Sequence, residues 1–249
     1  TQVIELAAEA YDINVKVEWP DEAKGVEQPY KGLDFGSFKV VDEQTSSLEL
    51  INEGKYEVGF KFLYRSKMMR QVLTLTPNEG VLPPAENGVP SRTKIEVVFK
   101  AEQEYSLRDN TDIRLKFSEL LTSEVLEDLT TPVRISANSR FSRSVLVPRG
   151  INFGPMVYAT QKERTFELTN TGEFEFNFTL RNKNAEGGGD AKGGAAADVT
   201  LGRFTVAPAS GTVPAGGIAT ITVKFAAGND AEQFKEDLII DVADRDVGA

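Results

Sequence analysis

The chain of 249 residues contains no cysteine and no histidine. Without cysteine it has no disulfide framework and no thiolate that could act as a nucleophile or a metal ligand. Without histidine it lacks the commonest general base and the commonest metal ligand. These two absences exclude most zinc sites and every Ser-His or Cys-His catalytic arrangement within these residues. We therefore predict that the chain is not an enzyme and has no catalytic residue, no cofactor and no metal site.

Long apolar runs and an excess of positive charge are also missing. No apolar stretch approaches the ~20 residues that a membrane-spanning helix needs. The net charge is −10, from 38 acidic and 28 basic residues, which argues against binding to a phosphate backbone or to an anionic membrane. We expect no nucleic acid, membrane or small-molecule partner. The sequence starts without Met or a signal-like stretch, so we expect a segment of a longer chain.

The chain does contain an internal repeat, which fixes its organisation. Residues 149–180 repeat residues 31–62 without a gap, 118 positions apart (150 minus 32). The matched pairs are Gly32 and Gly150, Phe35 and Phe153, Gly36 and Gly154, Leu50 and Leu168, Asn52 and Asn170, Gly54 and Gly172, and Phe60 and Phe178. Two copies of this length in 249 residues predict two similar domains.

Each copy reads as a strand, a turn and a second strand. In the second copy Phe166 and Leu168 alternate with polar residues, and large apolar side chains alternate again at every second position over Phe174–Leu180. A period of two indicates strands with one buried face. Between these runs, we predict that Gly172 supplies a positive φ and that Asn170 bonds its own backbone.

The repeat continues after each second strand, with altered spacing. Thr76–Pro83 resembles Ala207–Pro214, and the second copy holds 13 extra residues before this point, from the offset 131 minus 118. The insertion includes Ala185–Ala197, a glycine-rich run around Lys192. A phosphate-binding loop would need a flanking strand and helix and a Ser or Thr beside the Lys. Because these are missing, we interpret the run as a flexible surface insertion.

The remaining segments complete a β-sandwich in the first copy. We predict strands at Thr1–Ala10, Tyr11–Trp19, Ile113–Phe117 and Pro132–Ala137, a turn region at Ala101–Asn110, and a helical turn or exposed loop at Ser118–Thr130. Thr1–Ala10 resembles the Pro132–Ala137 strand and reads as the closing strand of a preceding repeat. The chain is thus predicted to be all-β, with two tandem sandwich domains over residues 1–137 and 138–249.

The second copy lacks a counterpart of the first copy's closing strand. Leu238–Val242 matches Ile113–Phe117, but no later residue matches Pro132–Ala137. We therefore expect the second domain to lack its last strand and to have an exposed sheet edge. Thr1–Ala10 of another molecule is a candidate to add to that edge.

The order of these motifs resembles the immunoglobulin-like repeats of the ASH type, which are related to major sperm protein and PapD-like sandwiches. Over nearly the whole chain, the motifs are similar to adjacent repeats of the hydin (hydrocephalus-inducing protein) family. The segments that carry the resemblance are Ala8–Ile13, Gly32–Gly36, Asn52–Glu57, Ile151–Gly154 and Asp241–Asp246. The resemblance implies two tandem Ig-like (ASH/PapD-like) β-sandwiches.

The hydin resemblance also implies a place and a role. It implies a structural scaffold segment in the axoneme of the cilium or flagellum, on the C2 projection of the central apparatus, required for ciliary motility. The implied partners are other central-apparatus proteins, with tubulin as a further candidate. The alternative is an adhesion or chaperone module, since such proteins also use tandem Ig-like domains and strand addition.

Four arginines are the candidate partner contacts. Arg134, Arg140, Arg143 and Arg149 concentrate positive charge around the predicted domain boundary. One interpretation is solvated side chains paired with nearby acidic loops. The other is a docking point for an acidic neighbour, which the planar guanidinium suits.

Overall fold

The computed structural model describes residue 4 and residues 11–120, 124–183 and 198–245. The chain divides into two compact units, Thr1–Ser139 and Arg140–Ala249. Strands dominate both units, and the predicted all-β class is confirmed. No helix in the described part is long and apolar enough to cross a membrane. The predicted strand at Thr1–Ala10, apart from Ile4, and the insertion at Ala185–Ala197 lie outside the described residues.

The first unit is a sandwich of a four-stranded and a five-stranded sheet. The first sheet has the order β1-β3-β7-β5 and the second β2-β9-β8-β4-β6. The elements are β1 (Val15–Glu18), α1 (Pro20–Ala23), β2 (Leu33–Lys39), β3 (Glu43–Asn52), β4 (Val58–Tyr64), α2 (Lys67–Val72), β5 (Leu73–Thr76), β6 (Glu79–Leu82), β7 (Ser91–Lys100), β8 (Tyr105–Glu119), a 3₁₀ turn (Glu127–Leu129) and β9 (Thr131–Arg140).

The core of the first unit lies between its two sheets and follows the alternation seen in the sequence. Leu48 and Leu50 of β3 and Ile95 of β7 face Phe62 of β4, and all four are almost completely buried. Burial of one such side chain stabilises the fold by about 1.5–3 kcal/mol relative to leaving it exposed.

The predicted turn region at Ala101–Asn110 is wrong, because β8 already begins at Tyr105. Its pairing with β9 shifts register between Leu107 and Asn110 and again between Asn110 and Ile113. Such bulges insert extra residues into a strand and break the two-residue period without ending the pairing. Within the stretch, Asp109 has a φ of 48°. The first part of β8 therefore lacks the alternation of apolar and polar residues by which strands are predicted.

The second unit contains a five-stranded and a three-stranded sheet. Their orders are β10-β11-β16-β14-β13 and β15-β12-β17. The strands are β10 (Ser144–Val147), β11 (Gln161–Asn170), β12 (Phe176–Asn182), β13 (Val199–Leu201), β14 (Phe204–Ala207), β15 (Ser210–Val213), β16 (Ile218–Ala226) and β17 (Leu238–Val242). The core between them is rich in phenylalanine, with Phe166, Phe176 and Phe178 buried.

The repeat glycines and asparagines have the same structural role in both units. Gly36 and Gly154 have φ values of 64° and 68°, a region that favours glycine. Their N–H groups donate to side-chain oxygens two residues earlier, Asp34 at 2.9 Å and Asn152 at 2.8 Å. In both units the motif therefore ends in a glycine with left-handed backbone, whose N–H is bonded by the Asp or Asn two residues earlier.

The predicted self-bonding of Asn170 is confirmed, but the predicted positive φ of Gly172 is wrong. The Gly172 N–H donates to Asn170 Oδ1 at 2.9 Å, and Gly172 is not among the residues with positive φ. A Cβ on Gly172 would lie 3.2 Å from the main-chain nitrogen of Arg143. The glycine is thus favoured by close packing rather than by backbone conformation.

Candidate interaction site

The structure separates the four arginines of the predicted contact into the two units. Arg134 lies on β9 of the first unit, and Arg140, Arg143 and Arg149 belong to the second unit. Arg134, Arg143 and Arg149 are exposed, whereas Arg140 is half-buried. Arg143 and Arg149 lie on either side of β10, so of the four predicted arginines these two are exposed on the second unit.

Charged residues on the first sheet of unit one form ion pairs with one another across strands. Arg92 on β7 donates to Glu18 on β1 at 2.7 Å and to Glu49 on β3 at 2.9 Å. Lys16 donates to Glu53 at 2.7 Å, and this hydrogen bond is the main reason why the pKa of Glu53 is lowered. The hydrogen bond to Glu49, with that to Glu18, raises the pKa of Arg92. Each shift favours the charged form, which is typical of a solvated, paired surface rather than of an acid–base centre.

Acidic side chains do not assemble into a metal centre in the part of the chain that the structure describes. No group of three or more carboxylates there could hold a metal ion. Asp237, whose pKa is lowered, is hydrogen-bonded to Lys183 at 3.0 Å.

One surface that could bind another chain is the outer edge of β17, the last strand of the three-stranded sheet. The Ala243 N–H donates to the Asn177 carbonyl at 2.9 Å, and the Lys183 N–H donates to the Asp237 carbonyl at 3.3 Å. In an antiparallel pair, alternate residues direct their main-chain groups to the same neighbour. The N–H and C=O groups of Leu238 and Ile240 therefore point away from β12, and no strand among the described residues pairs with them.

A cleft of about 390 Å³ opens beside this edge, between β17 and the other sheet. Its apolar lining comes from both sheets and from the stretch after β10, and includes Leu146, Ile151, Phe153, Phe166, Leu238 and Ile240. Leu238, Ile240 and Ile151 are only half-buried. Their counterparts in the first unit, Ile113, Leu115 and Leu33, are each 0% exposed. The same apolar positions are therefore covered in one unit and open in the other.

The difference comes from β9 and β2, which have no counterpart among the described residues of the second unit. In the first unit Val133, Ile135 and Ala137 of β9 fill this part of the core, with 0%, 0% and 3% exposure. The stretch 151–157 occupies the sequence position of β2 but is not a strand. In the first unit β2 is hydrogen-bonded to β9. Residues 151–157 have no such neighbouring strand among the described residues and therefore do not form a strand.

An aromatic cluster adjoining this cleft was not singled out by the sequence reasoning. The Phe225 ring lies 4.7 Å from Phe204 and 5.7 Å from both Phe153 and Phe234, between ring centroids. The cluster lines a second open cleft of about 940 Å³. Phe234 lies outside the repeat and outside any strand. An isolated aromatic residue of this kind was the feature of the sequence that could have indicated the cluster.

Comparison with known proteins shows which sequences this chain resembles. Residues 145–247 match the family described as "HYDIN/CFA65/VesB-like, Ig-like domain". The whole chain is similar to the human "Hydrocephalus-inducing protein homolog", at 29% identity over 96% of this chain, and to the mouse "Hydrocephalus-inducing protein", at 27% identity over 96%. The chain is thus similar to hydrocephalus-inducing proteins along nearly all of its length. It spans only about 5% of the length of each of these two hydin proteins.

Solved structures with detectable similarity to this chain are distant. The ASH/PapD-like domain 7 of human CEP192 is 14% identical with a TM-score of 0.36, over 56% of this chain and 94% of that chain. WR4, a C. elegans MSP family member, is 11% identical with a TM-score of 0.30, over 51% of this chain and 97% of that chain. The Salmonella enterica SafA pilin in complex with the SafB chaperone is 11% identical with a TM-score of 0.34, over 86% of this chain and 85% of that chain.

Proposed function

We propose that this chain is a structural segment of a ciliary scaffold protein, located on the C2 projection of the axonemal central apparatus and required for ciliary motility. The observation that carries the proposal is the similarity to hydrocephalus-inducing proteins along 96% of the chain, combined with two sandwich units in one short chain. Folded units of this kind act by presenting edges and faces to neighbouring chains. We expect the neighbours to be other central-apparatus proteins.

The exposed arginines of the second unit are the proposed contact for an acidic partner. Arg143 and Arg149 flank β10 and carry planar guanidinium groups, which suit bidentate binding of carboxylates. The chain as a whole carries a charge of −10, so an acidic partner would be repelled elsewhere on the surface. Tubulin is the further candidate partner for these two side chains.

Cross-linking of isolated axonemes tests the assignment in the full-length protein. We expect cross-links from this segment to other central-apparatus proteins, and loss of those near β10 when Arg143 and Arg149 are both changed to Glu. The matched control changes Lys162 and Arg164 to Glu, because both are exposed on β11 and the charge change is the same. Cross-links confined to proteins outside the central apparatus would refute the proposed place.

Co-sedimentation with microtubules separates tubulin from the other partners. If Arg143 and Arg149 contact tubulin, binding persists at physiological salt and weakens on their reversal. Binding that occurs only at low salt would indicate nonspecific attraction, since exposed charges are screened beyond about 8 Å at physiological ionic strength.

A strand-binding module of the adhesion or chaperone class is the second candidate function. The specific observation in its favour is the open edge of β17 with its apolar cleft. Such a module would capture extended segments of unrelated proteins. A scaffold segment of the hydin family would not, and a screen with unrelated β-strand peptides distinguishes the two.

A further inference from the structure

We propose that the outer edge of β10 binds an extended segment of an acidic partner chain, which adds to the sheet as a further strand. The segment would carry aliphatic side chains at two alternate positions and a carboxylate two residues beyond each of them. This inference rests on the proposed function, because it takes the acidic partner of Arg143 and Arg149 and specifies how that partner binds.

The main-chain groups of β10 are available on one side. β10 lies at one end of the five-stranded sheet, and no other strand in the described part of the chain pairs with its outer side. The Thr171 N–H donates to the Arg143 carbonyl at 3.0 Å on the side of β11. Since alternate residues direct their main-chain groups to the same neighbour, those of Ser144 and Leu146 point away from β11. Unpaired groups of this kind are a template for an added strand.

The side chains on the solvent face of this sheet are aliphatic at and near β10. The Leu146 side chain packs against the core, so Val145 and Val147 lie on the opposite face, where they are 46% and 56% exposed. On the same face Thr169 lies opposite both Val145 and Ile218, and Ile218 is 58% exposed. Exposed aliphatic side chains therefore extend from the edge strand to β16.

The first unit carries charges at the same positions of its own edge strand, β1. Both edge strands pair with the repeated asparagines in the same register, so their residues can be matched one by one. The matched pairs are Lys16 with Val145, Glu18 with Val147, Glu53 with Thr171, and Arg92 with Ile218. In the first unit the four residues form two ion pairs, Lys16 with Glu53 and Arg92 with Glu18, both at 2.7 Å.

This difference makes β10 the edge that is suited to binding. Charged side chains on an edge strand are one of the ways in which proteins prevent pairing with other chains. β1 has such charges, whereas the matched positions of the second unit are all uncharged. The outer edge of β10 therefore lacks the protection that the first unit has.

The arginines at the two ends of β10 determine which strand fits. Arg143 lies two residues before Val145, and Arg149 lies two residues after Val147; both arginines are exposed. A second copy of β10, added antiparallel, would bring Arg143 of one copy beside Arg149 of the other, and facing like charges are destabilising. A segment with the pattern acidic-x-aliphatic-x-aliphatic-x-acidic would instead bring a carboxylate to each guanidinium and an aliphatic side chain to each valine.

A synthetic peptide tests this specificity. The probe contains Glu-Thr-Val-Thr-Val-Thr-Glu, and its binding to the 249-residue chain is followed by fluorescence anisotropy. We expect the peptide to bind, and a peptide with Lys in place of both Glu residues to bind at least about tenfold more weakly. With the chain that carries Arg143→Glu and Arg149→Glu, the order of the two peptides should reverse.

A double variant tests the aliphatic face. Val145→Lys with Val147→Glu gives β10 the charges that β1 carries at the matched positions and leaves the net charge unchanged. The first unit folds with these charges, so the circular dichroism spectrum should stay the same, while peptide binding should weaken at least about tenfold. The matched control is Val81→Lys with Val41→Glu in the first unit, where the two valines are also 46% and 56% exposed. This control should bind the peptide as the wild-type chain does.

Hydrogen exchange, measured residue by residue by NMR, distinguishes strand addition from contact through side chains alone. The N–H groups of Ser144 and Leu146 point outward, so bound peptide should slow their exchange at least about tenfold. The N–H groups of Val145 and Val147 already face β11, and their exchange should change little.

Three results would overturn strand addition: a peptide that fails to bind, one that binds equally well with Lys ends, or one that leaves exchange at the two outward N–H groups unchanged. Association of the wild-type chain that Val145→Lys with Val147→Glu abolishes would overturn the acidic partner in favour of a second copy. Axonemal cross-links near β10 that still depend on the two arginines would then preserve the proposed acidic contact, so the two proposals fail separately.

Discussion

Asn52 and Asn170 are almost completely buried, yet each has its side-chain hydrogen bonds satisfied within its own unit. Asn52 Nδ2 donates to the carbonyls of Tyr56 at 2.8 Å and Pro83 at 2.9 Å, and its Oδ1 accepts the Gly54 N–H at 2.9 Å. Asn170 repeats this pattern with Phe174 at 2.8 Å and Val213 at 3.0 Å. A single buried side chain thus ties the turn after its own strand to a second stretch of backbone, at Pro83 in the first unit and at Val213 in the second.

Asn52→Ala should destabilise the first unit by about 1–3 kcal/mol, because it leaves buried main-chain groups without partners. The chain has one tryptophan, Trp19, which is buried in the first unit, so its fluorescence during urea unfolding reports that unit. The matched control is Asn14→Ala, which removes an exposed amide that bonds Glu53 and should change stability by less than about 0.5 kcal/mol. Equal effects of the two substitutions would contradict this role of Asn52.

Gly32→Ala and Gly150→Ala make the same change at matched positions with opposite expected results. A Cβ on Gly32 would contact the Arg134 carbonyl and the Tyr30 ring, both at 2.7 Å, so we expect a loss of about 1–3 kcal/mol. Gly150→Ala should be close to neutral in a non-associated chain, because the space there is open. Unfolding followed by Trp19 fluorescence for Gly32→Ala and by circular dichroism for Gly150→Ala checks both. A large loss at Gly150 would show that this space is filled within the chain itself.

At the scale of elements, the two units differ chiefly in how their second sheets end. In the first unit β8 has a neighbour on both sides, β4 and β9. In the second unit β17 has a described neighbour only at β12. Unpaired main-chain groups at a sheet edge are a template for another strand, so this edge is suited to pairing with a further strand.

Hydrogen exchange should show this edge as an alternating pattern along β17. The N–H groups of Ile239 and Asp241 point to β12 and should be protected, whereas that of Ile240 points outward and should exchange rapidly. Leu115, the counterpart of Ile240 in the first unit, pairs with Thr131 and should be protected. Uniform protection along β17 would mean that the edge is already covered.

The sequence predicts most strands of both units, since alternation and repetition survive wherever one face is buried. Leu48 and Leu50 of β3, and Phe176 and Phe178 of β12, are examples that the structure confirms. Sequence reasoning missed the first part of β8 because bulges break its period. It also missed the short helix α2, whose buried residues Met69 and Val72 depend on tertiary packing.

The candidate site was predictable only in part. The two copies can be aligned, and the second has no match to Pro132–Ala137. This missing match predicted an open sheet edge in the second unit. The cleft itself was not predictable, since it depends on the distance between two sheets. The four arginines were predicted around the domain boundary, and the division into units assigns Arg134 to the first unit and Arg149 to the second. Their role as a partner contact stays a prediction.

At the scale of the whole molecule, the chain carries a net charge of −10 and divides into two units. One tolerant insertion point is the hairpin at Asn87 and Gly88, whose φ values are 52° and 79°. The Glu86 and Val89 main-chain groups bond each other there at 3.0 and 2.8 Å. An exposed two-residue turn of this kind accepts insertions without disturbing the flanking structure.

The most direct test of the proposed role is therefore to insert a small folded tag between Asn87 and Gly88 of the full-length protein and to image axonemes by electron cryo-tomography. Our account predicts additional density on the C2 projection of the central apparatus, with beating preserved. Additional density on the outer doublets alone, or none in the axoneme while the tagged protein accumulates in the cell body, would contradict it.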